Sequence, residues 1–322
     1  MSFQTRVTEL LNITYPIIQG GLAHLAYAEL AAAVSNAGGL GQITAMSLPD
    51  ADSLRKEIDK VRELTDQPFG VNFAIGQHGR PFEHMVEVAI EKNVPAISVT
   101  GGNPKPVLDM VKDTEIKKLV LVAARRQAEK AEELGADAVM VVGQEGGGHL
   151  GRDDVGTFVL TPQVVDSVSI PVIASGGIGD GRGFMAALAL GAEGIEMGTR
   201  FIATKECVHA HEVYKKALLE ADEKSTVVIK RSLGAPARAL KNSWTEKILE
   251  LEQKEPGYEV LKPYISGEAN KRYIYEGKTD EGFAWAGQVA ARIKDVLSVE
   301  DLFDQIISEA MEIRKKWGLS GQ

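Results

Sequence analysis

In the stretch GQEGGGHLG, residues 143–151, one imidazole, His149, follows three consecutive glycines and stands two residues ahead of a fourth. An unperturbed imidazole changes charge near pH 6.5, so it can take or give a proton at working pH. Glycines beside it remove side chains where something must approach the backbone closely. Two more stretches point to an anion. In ASGGIGDGRG (174–183) a glycine-rich turn of Gly176, Gly177 and Ile178 enters a helical pattern, and in MGTRF (197–201) Gly198 and Thr199 follow an apolar run. Glycines let phosphate oxygens reach backbone N–H groups, and a helix N-terminus adds a favourable dipole. The phosphate belongs either to a substrate or to a cofactor such as FMN. GGIGDG on its own is a weak dinucleotide fingerprint, because no acidic residue sits in the expected second-strand context.

Other reactive residues rank lower. His24 follows a glycine pair and would border a pocket, and His78 lies in AIGQHGRP (74–81), a lid-like loop. His84, His209 and His211 fall on helical patterns as solvated or capping groups. Cys207 is the single cysteine, expected at the start of a helix and chemically inert. Being single, it excludes an intrachain disulfide and any multi-cysteine metal site. Arg152, Asp153 and Asp154 suit a salt-bridged loop better than a cation site. No metal site is expected.

The elements that must position these groups are legible as an alternation. Eight short apolar runs (16–21, 39–45, 69–74, 96–102, 118–124, 138–144, 171–177 and 194–201) are separated by helical patterns with one apolar stripe. Near-continuous apolar strands are buried on both faces, as in a parallel sheet covered by helices. Eight such units close a (β/α)8 barrel of the triosephosphate-isomerase type; an open doubly wound sheet is the competitor. In such barrels ligands bind where the strands end, and Gln19, Gly20, Gly21, Asn72, Thr100 and the glycine loops all fall there. After residue 201 the rhythm breaks. The expected division is a barrel over 1–225, a small mainly helical insertion over 226–276 containing Pro256 and Pro263, and C-terminal helices over 277–322 packing back on the barrel.

The 322 residues carry a net charge of −9, are 44% hydrophobic and 25% charged, and hold no basic cluster, which argues against a nucleic-acid partner. No apolar run approaches the roughly 20 residues of a membrane span. The start, MSFQTRVTELL, lacks a basic segment followed by an apolar one, so a cytoplasmic location is expected. A small-molecule substrate is the expected partner, and association with further copies of the chain is left open.

PIIQGGLAHLAYAELAAAVSNAGGLG, FGVNF, EGGGHLG, IPVIASGGIGDGRG and EGIEMGTRF, in this order, resemble the nitronate monooxygenase family, once called 2-nitropropane dioxygenases, and its close relative, the flavin-dependent enoyl-acyl-carrier-protein reductase. The likeness runs through roughly residues 10–205 and returns at WAGQ, 285–288. It implies a barrel that binds FMN through Gly20, Gly21, Leu22, Asn72, Gly147, Gly176, Gly177, Met197, Gly198 and Thr199, with His149 exchanging a proton beside the flavin. Two departures stand out: Leu22 where many relatives have methionine, and Val142 where relatives carry a polar residue, a contact then missing or supplied by Gln144. The implied reaction is oxidation of an alkyl nitronate with O2 to a carbonyl compound and nitrite. The alternatives are an NAD(P)H-dependent reductase of enoyl thioesters or quinones, a flavin binder without turnover, and a barrel holding a phosphorylated metabolite. Trp285, Gly287 and Gln288 either close over the flavin edge or merely pack.

Overall fold

The computed structural model describes residues 3–76, 81–254 and 257–318. Eight parallel strands form one sheet: β1 (Ile17–Gln19), β2 (Gly41–Thr44), β3 (Phe69–Ala74), β4 (Ala96–Thr100), β5 (Lys117–Val122), β6 (Ala138–Val142), β8 (Val172–Ser175) and β9 (Gly194–Met197). Each of the eight apolar runs coincides with one of them to within a residue or a few at its ends. Their order runs β1-β9-β8-β6-β5-β4-β3-β2, and the ends of this series meet. The Gln19 amide donates to the Leu40 carbonyl at 3.0 Å and the Leu40 amide to the Ile17 carbonyl at 3.0 Å, so the sheet is a barrel. The short β7 (Gly148–His149) lies in the sixth loop, which makes β8 and β9 the seventh and eighth barrel strands.

The interior is layered. Ile18, Leu40, Ala96, Leu119, Ala138, Met140 and Ile173 fill its lower part, and the helix Arg6–Leu11 plugs the bottom with Val7 and Leu11. Above them the buried inward residues turn polar: Gln42, Asn72, Ser98, Ser175 and Glu196. Burying so many polar groups is costly unless they are bonded or face a ligand, so this end of the barrel is the one built for binding.

The outer helices follow their sequence signals. Asp50 caps Ala51–Leu64 by accepting from the Ser53 amide at 2.8 Å, and Leu54, Ile58 and Val61 face the sheet. Gly41 lets the helix Ala28–Asn36 approach the barrel, because a Cβ there would overlap the Ala31 carbonyl.

Beyond β9 the helix expected to begin at Cys207 instead spans Glu212–Leu219, with His211 accepting from the Val213 amide as its cap. Cys207 therefore lies in a turn, not at a helix start. Segment 226–276 opens with an antiparallel pair, β10 (Thr226–Ile229) and β11 (Ala237–Leu240), before three helices, Ser243–Glu252, Tyr258–Ile265 and Gly267–Glu276. Where C-terminal helices are expected over 277–322, residues before Val299 form instead a 3-10 turn, Gln288–Arg292, and an extended link. Val289, Ala290 and Ile293 are nonetheless buried, so the apolar stripe is satisfied without an α-helix. The helix Val299–Lys316 then packs along the barrel wall, capped by Ser298.

The pairing of β11 with β7 matters most for the site. Ala237 stands opposite His149 and Arg238 opposite Gly148. The post-barrel segment thus holds the histidine loop by a backbone ladder, and the isolated bridge Ala239↔Trp285 adds a further strand-like contact.

Candidate active site

A cavity of about 370 Å³ opens at the strand ends. Its lining includes every residue that the family resemblance implies for FMN binding or proton exchange: His149, Gly20, Gly21, Leu22, Asn72, Gly147, Gly176, Gly177, Met197, Gly198 and Thr199. Val142, Trp285 and Gly287 line it too. His24 does not; its neighbours Ala23 and Leu25 do. His78 lies outside the described residues.

Strand ends aim the groups in a fixed way. Asn72, on β3, donates through Nδ2 to Ser98 Oγ at 2.8 Å, which fixes its amide, and its Oδ1 faces Gly21 so closely that a Cβ there would overlap it. The Leu22 amide donates to Thr44 Oγ1 at 3.1 Å. Glu145 holds the start of the helix Thr157–Val165, its Oε2 accepting from the Thr157 amide at 2.8 Å and from Thr157 Oγ1 at 3.0 Å. The Gly287 amide donates to Thr199 Oγ1 at 2.9 Å, tying the WAGQ turn to the eighth loop.

A phosphate needs donors that the fold has left free. The amides of Gly176, Gly177, Ile178 and Gly198 donate to no described acceptor, and all four residues line the cavity. Gly176 and Gly177 have φ of +93° and +78°, which side-chain-bearing residues rarely adopt. The helix dipole anticipated here is not on offer. Gly183 N–H of the helix Gly181–Ala189 donates to Asp180 at 3.0 Å and Gly181 N–H to Glu309 at 2.8 Å. Two carboxylates already occupy that helix end, so an anion would rest on the preceding turn.

His149 meets a partner that its own loop did not announce. Lys230, just past β10, brings Nζ to 2.8 Å from His149 Nε2 and stands 5.7 Å over the Trp285 ring. Trp285 lies 5.8 Å from the imidazole. Burial first, and the Lys230 charge second, push the His149 pKa down to about 4. The ring keeps solvent contact through the cavity mouth while protein crowds its other sides. Burial likewise pushes Lys230 down to about 8, against the pull of Glu252. At neutral pH the imidazole is therefore uncharged, Nε2 accepts from the ammonium, and Nδ1 carries the ring proton.

The remaining candidates resolve as structure. Gln144 does not replace the polar contact missing at Val142: its amide donates to Asp154, while Val142 presents a methyl surface to the cavity. Asp154 also pairs with Arg231 at 2.9 Å, the salt-bridged loop expected. His84 pairs with Glu87 on its helix. Burial pushes the Cys207 thiol up to about 12, which keeps it unreactive. Among the described residues no cluster of His, Cys, Asp or Glu suits a metal ion.

Two positions at or beside the cavity escaped the sequence reading. Lys230 lies 81 residues from His149 and no local pattern links them. Glu196 did carry a signal, a carboxylate in the otherwise apolar GIEM strand.

The family model described as nitronate monooxygenase matches residues 4–79 and 73–309. The chain belongs to the nitronate monooxygenase family. A probable nitronate monooxygenase of Staphylococcus saprophyticus subsp. saprophyticus is 34% identical over 98% of this chain and 100% of its own length. Among solved structures, FabK from Thermotoga maritima superposes with a TM-score of 0.90 at 41% identity, covering 98% of both chains. The nitroalkane oxidase from Streptomyces ansochromogenes superposes with a TM-score of 0.84 at 29% identity, covering 97% of this chain and 99% of that one. The chain is thus an oxidoreductase of this family on a TIM barrel. No described helix is long and apolar enough to cross a membrane.

Proposed function

We propose that the chain binds FMN in this cavity and oxidises small alkyl nitronates. The observation that carries the reading is the His149–Lys230 pair, 2.8 Å apart, at a cavity that also gathers the free amides of the seventh and eighth loops. Gly176, Gly177, Ile178 and Gly198 would hold the phosphate, and Gly20, Gly21, Leu22, Asn72, Gly147, Met197 and Thr199 would border the rest of the cofactor. Bound FMN supplies the redox chemistry by which nitronate and O2 yield a carbonyl compound and nitrite.

The chain's own part is charge and shape. A nitronate is an anion, and the Lys230 ammonium beside the imidazole attracts it. Leu22, Ile202, Ile274 and Trp285 give its alkyl group an apolar wall and exclude water. For a neutral nitroalkane, His149 must accept a proton at Nε2, which requires Lys230 to release that atom. The developing anion then lies beside the imidazolium and raises its pKa, because an opposite charge favours the charged form.

Lys230→Met tests this arrangement. Without the cation, the imidazole pKa should rise from about 4 toward the ordinary 6.5, stopping short because burial, the larger cause, remains. The acidic limb of kcat/KM for a neutral nitroalkane should move to higher pH, and KM for the nitronate should increase. An unchanged profile would remove Lys230 from the site.

A second reading, an NAD(P)H-dependent reductase of enoyl thioesters or quinones, is favoured by the 41% identity to FabK over nearly the whole of both chains. Anaerobic mixing of the yellow protein with a nitronate, NADH or NADPH separates the two. Rapid bleaching by nitronate supports the first reading. Bleaching by a nicotinamide nucleotide alone replaces it with the second.

A further inference from the structure

The mechanism leaves one buried titratable group unused. Glu196, on β9, pairs in register with Ile18 of β1 and Ser175 of β8, and its side chain points into the barrel beneath the cavity. It is 7% exposed, and it lines the cavity. One carboxyl oxygen, Oε2, is bonded to Ser175 Oγ. The other, Oε1, has no hydrogen-bond partner among the described residues, yet it is not sealed off from solvent. A Cβ on Gly20 would stand only 2.5 Å from it, so the glycine at the end of β1 is what leaves this oxygen room.

No cation among the described residues compensates the group. Among the described residues it forms no ion pair, and β1 and β8 present it with Gly20 and Ser175, neither of them charged. The other titratable groups of the lining are Glu145, His149 and Tyr214; none contributes appreciably to its titration. Burial raises its pKa, and only the Ser175 bond opposes this. A carboxyl without a counter-ion in such a place is held as the neutral acid, which has a proton to donate.

We infer that Glu196 is a proton-bearing floor of the cavity that donates a hydrogen bond from Oε1 to an acceptor of bound FMN, and that FMN binding and Glu196 protonation are therefore coupled. The inference rests on the FMN reading above. The coupling has a physical origin: bound FMN displaces the water that reaches Oε1 and brings a phosphate charge into the same cavity, and both disfavour the carboxylate. By linkage, the FMN dissociation constant must rise once the pH passes the pKa of the free carboxyl, by up to about tenfold per pH unit.

The test follows FMN release from the purified holoprotein by flavin fluorescence between about pH 6 and about pH 9, a range that brackets buried carboxyls. Wild type should lose FMN affinity as the pH rises through the titration of Glu196. Glu196→Gln keeps the size and an N–H donor but cannot ionise, so it should bind FMN as wild type does at about pH 6 and hold that affinity flat, apart from any slope that FMN itself contributes. Glu196→Leu, equally unable to ionise, should bind roughly tenfold more weakly than Glu196→Gln at every pH, the weight of one hydrogen bond. A pH slope in Glu196→Gln equal to that of wild type would place the titration elsewhere and overturn the inference. So would loss of FMN from a Glu196→Gln protein that melts at the wild-type temperature, since the ligand would then require the carboxylate. Failure of wild type to bind FMN at any pH would instead sink the cofactor reading itself.

Discussion

Gly177→Val should give a folded protein that no longer holds FMN. At φ +78° the valine is strained, and its Cβ would stand 3.2 Å from Glu145 Cβ, so the turn between β8 and the following helix must move. Moving it withdraws the amides of Gly177 and Ile178 from the phosphate. Two charge-assisted hydrogen bonds at about 1.5–3 kcal/mol each predict a loss of roughly 10²-fold or more in affinity. A second variant separates this from general damage. Gly198 has φ −111°, which any residue tolerates, and a Cβ there meets only Leu22 Cδ2, at 3.2 Å. Gly198→Val should therefore leave the melting temperature of the flavin-free protein nearly unchanged while crowding the same anion from the eighth loop. Equilibrium dialysis of both variants against FMN decides the matter. Full retention of affinity in both would mean that the phosphate rests elsewhere.

The paired glycine loops were legible in the sequence because the requirement they meet is local. A turn at positive φ favours a residue without a Cβ, and glycine after an apolar strand states that directly. The eight strands were legible for a similar reason: burial on both faces leaves an uninterrupted, β-branched apolar run such as AVMVV, residues 138–142. Where several solutions bury the same stripe, the sequence spoke less clearly. Val289, Ala290 and Ile293 have helical spacing but are buried by a 3-10 turn and an extended link. The polar neighbour proposed for Val142 failed because the chain turns after β6, and Gln144 points outward to Asp154.

Least legible was what the post-barrel segment does. Its antiparallel pair is short, and β11 finds its third strand, β7, in only two residues of the sixth loop. Strand pairing across nearly ninety residues leaves no periodic trace. It nevertheless decides the electrostatics of the site, because the same ribbon that fixes His149 carries Lys230 to it. A barrel without this segment would keep the glycines but lose Asn270 and Ile274 from the cavity wall, and its histidine, without the Lys230 charge, would titrate closer to the ordinary value.

That dependence shapes what His149→Ala should do. The variant should keep FMN, since no phosphate donor is touched, and should lose turnover of a neutral nitroalkane by roughly 10² or more, the usual scale for removing a general base. A pre-ionised nitronate needs no proton abstraction. Its kcat should fall much less, and the ammonium of Lys230, freed from the imidazole, still offers it a charge. The contrast between the two substrates separates a base from a binding group: loss of uniform binding would raise KM for both and leave kcat nearly unchanged. Alkaline pH adds an independent check. As Lys230 loses its proton near its lowered pKa of about 8, the wild type should lose nitronate affinity while the imidazole remains neutral, and the alanine variant should show the same limb. Equal loss on both substrates, with kcat preserved, would make His149 a binding residue for the anion. Wild-type rates on every accepted substrate would leave it only the structural task of seating the sixth loop against β11.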